Sequence, residues 1–449
     1  MKKSNMFVFD QSEDGKGYVL TEYIGNKEQV VIPDTYEDLP VIAIGGGAFS
    51  DKDEVTSVII PEGVTKIDDS AFNCCSALTS VDIPSSVVEI KAYAFYGCSA
   101  LTTLRIPEGV KAVGSNAFGQ CTSLANVSIP STLEYFEDRI FYNCYSLASI
   151  KVDSGNKVYC SELDNVIERK TRTLLFGSRR GVIPEGVKSI GSFAFTGFRD
   201  ITAVDIPEGI ESIGDGAFSH CVGVESVHIP ASVREIGAWV FHHNSSLVSV
   251  DVDTANEVYY SENNCVIERD TATIIVGSNA GSIPLGVKAI GDYAFCGMSA
   301  LENIDIPEGV ECIGEGAFSD TASLRCVTLH EGLKEIGEGA FDSAESLVDI
   351  TLPSTITTIK EGTFAHCAGL ISFTIPSSIV CIEDGAFFGC SSLISLYIPR
   401  NVEGMGAYVF EYCDNIAIHV AHESRPERWS DEWDSNDDRK IAVTWGATQ

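Results

Sequence analysis

Positive charge is what this chain lacks most. Lysine and arginine total 30 against 64 aspartates and glutamates, for a formal charge of −34 over 449 residues. So acidic a surface repels phosphate backbones and anionic lipid, which disfavours nucleic-acid and membrane-surface binding. Long apolar runs are missing too: no stretch approaches the eighteen or so residues of a membrane span. The opening MKKSNMFVFDQSEDGKG holds no apolar run of signal-peptide length, and neither end carries a lipidation motif. The 15 cysteines show none of the paired short spacings of a zinc site. Gly-x-Gly strings such as Gly314-Glu315-Gly316 lack a surrounding Rossmann unit, and no Ser-His-Asp or Cys-His pairing stands out. These absences argue against an enzyme and against a bound cofactor.

What is present is a repeat. Phenylalanine recurs every 23 residues at Phe49, Phe72, Phe95, Phe118 and Phe141. After a step of 54 it returns at Phe195, Phe218 and Phe241, and after another step of 54 it runs from Phe295 through Phe318, Phe341, Phe364 and Phe387 to Phe410. Each step of 54 equals one period plus 31, so each is expected to hide one divergent turn. In the unit Ile304 to Leu324, the alternation of Leu301, Ile304 and Ile306 predicts a strand that Pro307 ends. Glu308-Gly309 supplies a turn, and Val310, Ile313, Ala317 and Phe318 form the next inward set. The segment around Glu315-Gly316-Ala317-Phe318 reads as a short helical turn with a carboxylate near its start. One such unit cannot bury its apolar face alone, so the units must stack into a solenoid. About sixteen turns at the strand spacing of about 4.8 Å predict a rod roughly 75 Å long.

The pattern LxxVxIPxxVxxIGxxAFxxC resembles the BspA-like bacterial leucine-rich-repeat family over nearly the whole chain. That resemblance implies a right-handed curved solenoid, with a parallel sheet on one face and short helical or 3-10 turns on the other. It implies an N-terminal cap at residues 1–40, an array at 41–420 and a C-terminal cap at 421–449, where Trp429, Trp433 and Trp445 lie. It also implies a non-enzymatic protein-binding scaffold, in some members a surface adhesin, here expected as a monomer with a protein ligand. The compartment follows as cell surface if a leader has been trimmed and cytoplasm otherwise. An intracellular scaffold, or a calcium- or glycan-binding module built on acidic columns, are the alternatives.

Positions 23 apart stack, so candidate sites fall in columns. The residue three after the anchor is cysteine at Cys75, Cys98, Cys121, Cys144, Cys221, Cys367, Cys390 and Cys413, but Phe198, Met298 or Ala344 elsewhere. A buried apolar slot explains this column, with reduced thiols in a reducing compartment. The outward strand face is small and polar, either an extended binding face or a solvated one. It stacks Asp205, His228 and Asp251 on successive turns, readable as a charge ladder, a metal site or an acid–base pair. His220, His243 and the adjacent His242 make a second histidine coincidence, with no third ligand type in that column. Glu315, Glu338, Glu361 and Asp384 line four consecutive turns, readable as helix starts or as a loose calcium site.

Residues 141 to 241 align with 241 to 341 at an offset of 100, and VIER recurs at 166 and 266. Each copy carries an insert, about 154–182 and 254–282, expected to project as a hairpin. The first insert holds the chain's basic cluster, Arg169, Lys170, Arg172, Arg179 and Arg180, of which the second keeps Arg269. It is a candidate partner-binding site, or simply a solvated hairpin.

Overall fold

A computed structural model describes residues 2–3, 6–414, 416–435 and 441–448. Residues 1, 4, 5, 415, 436–440 and 449 lie outside the described residues. Contacts divide the chain into two compact units: Met1–Ile201 with Gly209–Cys221, and Thr202–Glu208 with Val222–Gln449.

Within each unit the 23-residue period builds one coil with three walls. The first wall is the strand that alternation predicts. Gln29–Val31, Ser57–Ile59 and Ser80–Asp82 pair in parallel, as do Thr103–Arg105, Asn126–Ile129 and Ser149–Val152. Proline lacks the N–H that the ladder would need next, so Pro61 and Pro107 close these strands. The second wall is a ladder of two-residue strands, Lys66–Ile67, Glu89–Ile90, Ala112–Val113 and Tyr135–Phe136, again parallel. Two residues are too few for alternation to reveal, and this wall is absent from the sequence reading. The inward set holds: Leu301, Ile304, Ile306, Val310, Ile313, Ala317 and Phe318 are all buried.

The third wall overturns the expected helical turns: among the described residues there is no helix. At all fourteen anchors the residues two before and two after the phenylalanine have positive φ, for example Ser70 (57°) and Cys74 (57°) around Phe72, and Gly316 (53°) and Asp320 (55°) around Phe318. A left-handed residue every fourth position cannot propagate a right-handed helix. The N–H groups instead alternate between two kinds of partner. Ser70, Phe72 and Cys74 donate to carbonyls of the next coil, at Ala92, Ala94 and Tyr96, at 2.7–2.9 Å. Ala71 and Asn73 close local turns on Asp68 and Ser70. The third wall is therefore an inter-coil ladder as well, and only such a ladder brings the anchor rings into register. Phe49, Phe72, Phe95 and Phe118 stack at centroid spacings of 4.8, 4.9 and 5.4 Å, near the strand repeat.

The cysteine column gains a role beyond filling space. Each thiol donates to the carbonyl of the previous coil's phenylalanine: Cys75 to Phe49 at 3.0 Å, Cys98 to Phe72 at 3.3 Å and Cys390 to Phe364 at 3.1 Å. None of the 15 cysteines is in a disulfide. Burial raises the thiols of Cys75, Cys98, Cys121, Cys144, Cys221 and Cys367, Cys121 to about 12, which makes them inert as nucleophiles.

The inserts form the expected antiparallel strand pairs but do not project as expected. Tyr159–Glu162, Asn165–Glu168 and Thr173–Phe176 form an antiparallel meander whose last strand pairs in parallel with Ser189–Ile190. Its centre is core, with Asn165, Val166 and Ile167 fully buried. The meander thus takes the place of the divergent turn, because a strand ladder left open there would expose unpaired backbone groups. Asn156 ties it down. Its side-chain amide donates to Pro130 and Leu133 and accepts from Val158 and Tyr159, all at 2.8–3.0 Å. The Tyr159 hydroxyl accepts from Phe136 N–H at 3.1 Å, while Phe176 meets Phe141 edge-on at 5.2 Å and ends the first ring stack. The second insert repeats this in the other unit, with Asn256, Tyr259 and Val276 at the equivalent places. At the C-terminal end, Trp429 and Trp433 are buried, and Trp433 packs against Phe410.

Candidate binding surface

On the first wall of the first unit, outward side chains stand shoulder to shoulder. Register places Arg105 beside Ser128 and Ser128 beside Lys151. These three line a shallow groove of about 260 Å³ with Glu108 and Asp153. Arg105 also lines a neighbouring groove of about 470 Å³ bounded by Ile59, Asp82 and Pro84. The carboxylates here are already engaged: Glu108 accepts from Ser131 N–H and hydroxyl, and Asp153 from Gly155 N–H. Among the described residues, Arg105 and Lys151 make no ion pair. Arg105 and Lys151 are thus two exposed cations set among four groove carboxylates, Glu62, Asp82, Glu108 and Asp153. No motif in the sequence singles out Arg105 or Lys151.

In the second unit the same column holds Asp205, His228 and Asp251 on adjacent strands. His228 Nδ1 lies 3.0 Å from Asp251 Oδ2 in an exposed pair, worth at most about 1 kcal/mol. Farther along, His330 Nε2 lies 3.1 Å from Asp305, a pairing no spacing argument had isolated.

The basic cluster of the first insert is spent locally. Arg172 grips Glu162 through both terminal nitrogens, at 2.8 and 3.1 Å. That hydrogen bond holds the Glu162 carboxyl below its ordinary value. Arg169 Nε donates to the carbonyls of Asn156 and Tyr159. Arg179 faces Asp200 at 3.8 Å and Arg180 faces Asp164 at 3.4 Å. Lys170 is exposed.

The acidic column follows a different logic from a helix start. Asp69, Asp292 and Asp384 each accept the N–H three before the next coil's anchor, at Ala92, Glu315 and Ala407, at 2.8–3.1 Å. Glu361 N–H goes to Glu383. The aspartates Asp69, Asp292 and Asp384 thus complete a backbone ladder, each taking an N–H of the next coil. Glu315, Glu338 and Glu361 share a groove with Tyr293, and Glu315 accepts the Tyr293 hydroxyl. Burial first, then that carboxylate, pushes Tyr293 above its ordinary range. Among the described residues these four acids do not converge as metal ligands do; in the second unit His243, Cys296 and Asp320 do, with ligand atoms within 4.8 Å of one another.

Stacked parallel coils sharing one core make this a parallel β-solenoid of the repeat class. Residues 42–163, 179–287 and 288–417 match the BspA type leucine rich repeat region in six copies, and the chain belongs to that family. Among solved structures, a leucine rich cell surface protein of Faecalibacterium prausnitzii is 26% identical over 96% of this chain and 94% of its own, with a TM-score of 0.46. A leucine-rich repeat protein of Bacteroides ovatus is 23% identical over 93% and 99%, with a TM-score of 0.42. The pneumococcal vaccine antigen PcpA is 18% identical over 99% and 92%, with a TM-score of 0.40. No curated protein sequence matches the chain. No helix among the described residues is long and apolar enough to cross a membrane.

Proposed function

We propose that this chain is a non-enzymatic protein-binding scaffold that receives an acidic segment of its partner on the first wall of the first unit. The observation that carries the reading is the pair of adjoining grooves sharing Arg105, with Lys151 beyond Ser128. An arginine fork suits a carboxylate bidentately, and arginine anchors contribute strongly to interfaces. The family's membership supports protein binding in general. By its resemblance, a bacterial surface adhesin is the reading for compartment. Fifteen cysteines outside any disulfide favour an intracellular scaffold as the second reading.

The test is capture by the immobilised full chain from host matrix and plasma proteins in one arm and bacterial cytosol in the other. Beside the wild type stand R105E/K151E and a variant neutralising Arg169, Lys170, Arg172, Arg179 and Arg180. The proposal expects the partner to be lost with R105E/K151E and kept by the insert variant. Loss with the insert variant alone moves the site to the insert, and retention by both variants sinks both surfaces. The arm that yields the partner decides the compartment.

A further inference from the structure

The third wall of the second unit carries a group that neither the column logic nor the binding surface uses. His243, Cys296 and Asp320 come from three successive coils of that wall, linked by the ladder bonds His243 N–H to Cys296 at 3.3 Å and Gly297 N–H to Ser319 at 2.9 Å. Their ligand atoms all lie within 4.8 Å of one another. His243 Nε2 is 3.5 Å from an Asp320 carboxylate oxygen, and Cys296 Sγ is 2.8 Å from the Ser319 hydroxyl.

The backbone makes this meeting possible. His243 and Asp320 occupy the left-handed position two after an anchor, with φ of 56° and 55°. Gly297 holds that position on the coil between them, at φ 74°. A Cβ on residue 297 would stand 2.5 Å from His243 Cα and 2.8 Å from its Nδ1. Only a glycine lets the imidazole lie across the intervening coil and reach Asp320. Cys296 is also out of pattern. It sits one after its anchor, not three, and its thiol faces Ser319 where the column thiols face a phenylalanine carbonyl.

We propose that His243, Cys296 and Asp320 bind one zinc ion, with water completing the coordination. Thiolate, imidazole and carboxylate are together a zinc donor set, at roughly 2.0–2.3 Å from the metal. Ligand atoms on a tetrahedral zinc sit roughly 3.5 Å apart, the separation His243 and Asp320 already have. The surroundings suit a cation. Asp342 and Glu345 lie near enough to Asp320 to add negative charge around the site. His366 is itself held by Asp342 at 2.9 Å. Binding exchanges the Cys296 thiol proton for the metal and releases it to solvent, and the carboxylate and imidazole bind in their deprotonated forms. Because the thiolate is the form that binds, affinity should rise with pH.

The experiment is a cobalt(II) titration of the metal-stripped, reduced full chain, followed by displacement with zinc. A thiolate-to-cobalt charge-transfer band saturating at one equivalent is expected, abolished in C296S and bleached by zinc. D320N, on a half-exposed side chain, should weaken zinc at least tenfold with the apo melting temperature unchanged. C326S removes the exposed thiol and should leave the band intact. No band at one equivalent overturns the proposal, and so does a band that persists in C296S or zinc affinity unaltered in D320N.

Discussion

The thiol of Cys98 donates to the backbone carbonyl of Phe72, 26 residues earlier in the chain and one coil away in space, at 3.3 Å. The contact ties the core-filling role of the cysteine column to the backbone bookkeeping of the wall beside it. Both partners are fully buried, so the phenylalanine carbonyl has no water to turn to. Cys98→Ala removes one of that carbonyl's two donors, the Cys75 N–H remaining at 3.3 Å, and leaves a small cavity, and should cost about 1–2 kcal/mol. The shift of the first urea transition of the full chain, wild type against variant, measures it. A shift within error would mean that the thiol only fills space.

The left-handed flanks make a prediction of opposite signs at one position. Gln120 has φ 59°, where a branched side chain is strained and glycine is at ease. Gln120→Val should destabilise the chain by about 1–2 kcal/mol, while Gln120→Gly should be neutral or stabilising. A helical turn at this wall would reverse the order, since valine outranks glycine in a helix. Melting temperatures of the two variants decide between these outcomes.

Asn156 and Asn256 close the two inserts with the same hydrogen bonds to proline and leucine or valine carbonyls, one in each unit. Replacement by alanine strips several buried backbone groups of partners at once, so each variant should lose about 2–4 kcal/mol. The two sites are far apart in sequence and share no partner, so the losses should add in the double variant. A calorimetric scan of both singles and the double tests the magnitude and the additivity.

Acid should loosen the first insert through Glu162. Its folded pKa lies below the unfolded value, chiefly through the Arg172 hydrogen bond. A group shifted in this direction contributes stability above its unfolded pKa, and that contribution fades as pH falls through the folded one. The Glu162 side chain is about one-third exposed, so screening keeps the effect small. The stability advantage of wild type over Glu162→Gln should be full at pH 6 and shrink steadily below about pH 4.5. A difference independent of pH would show that the ion pair contributes nothing.

Much of the coil was readable in advance. The 23-residue phase, the inward set from Leu301 to Phe318 and the buried thiols at Cys75 or Cys390 all follow from apolar spacing, because burial constrains residue type at every turn. The third wall resisted for the opposite reason. Its left-handed positions hold Ser70, Tyr93, Gln120, Trp239 and several glycines, so no residue type marks them, and the Ala-Phe that lies between reads as helix. The acidic column was visible, but its purpose was not: Asp292 accepts an N–H from a residue 23 further on, which is a relation between coils. The insert's basic cluster was legible as charge, while its neutralisation by Glu162, Asp164 and Asp200 depends on where a meander folds back.

By itself the sequence determined the period, the class of fold and the family, because a strict repeat of buried positions admits one way of sharing a core. Tertiary structure alone decided what stands next to what across coils. The 54-residue steps are the clearest case. They route the chain through a buried meander and then return it to register, so that His243 lies against Cys296 and Asp320 at separations no short motif describes. Side chains meet there because backbone hydrogen bonds stack the coils, and that stacking is a property of the folded ladder.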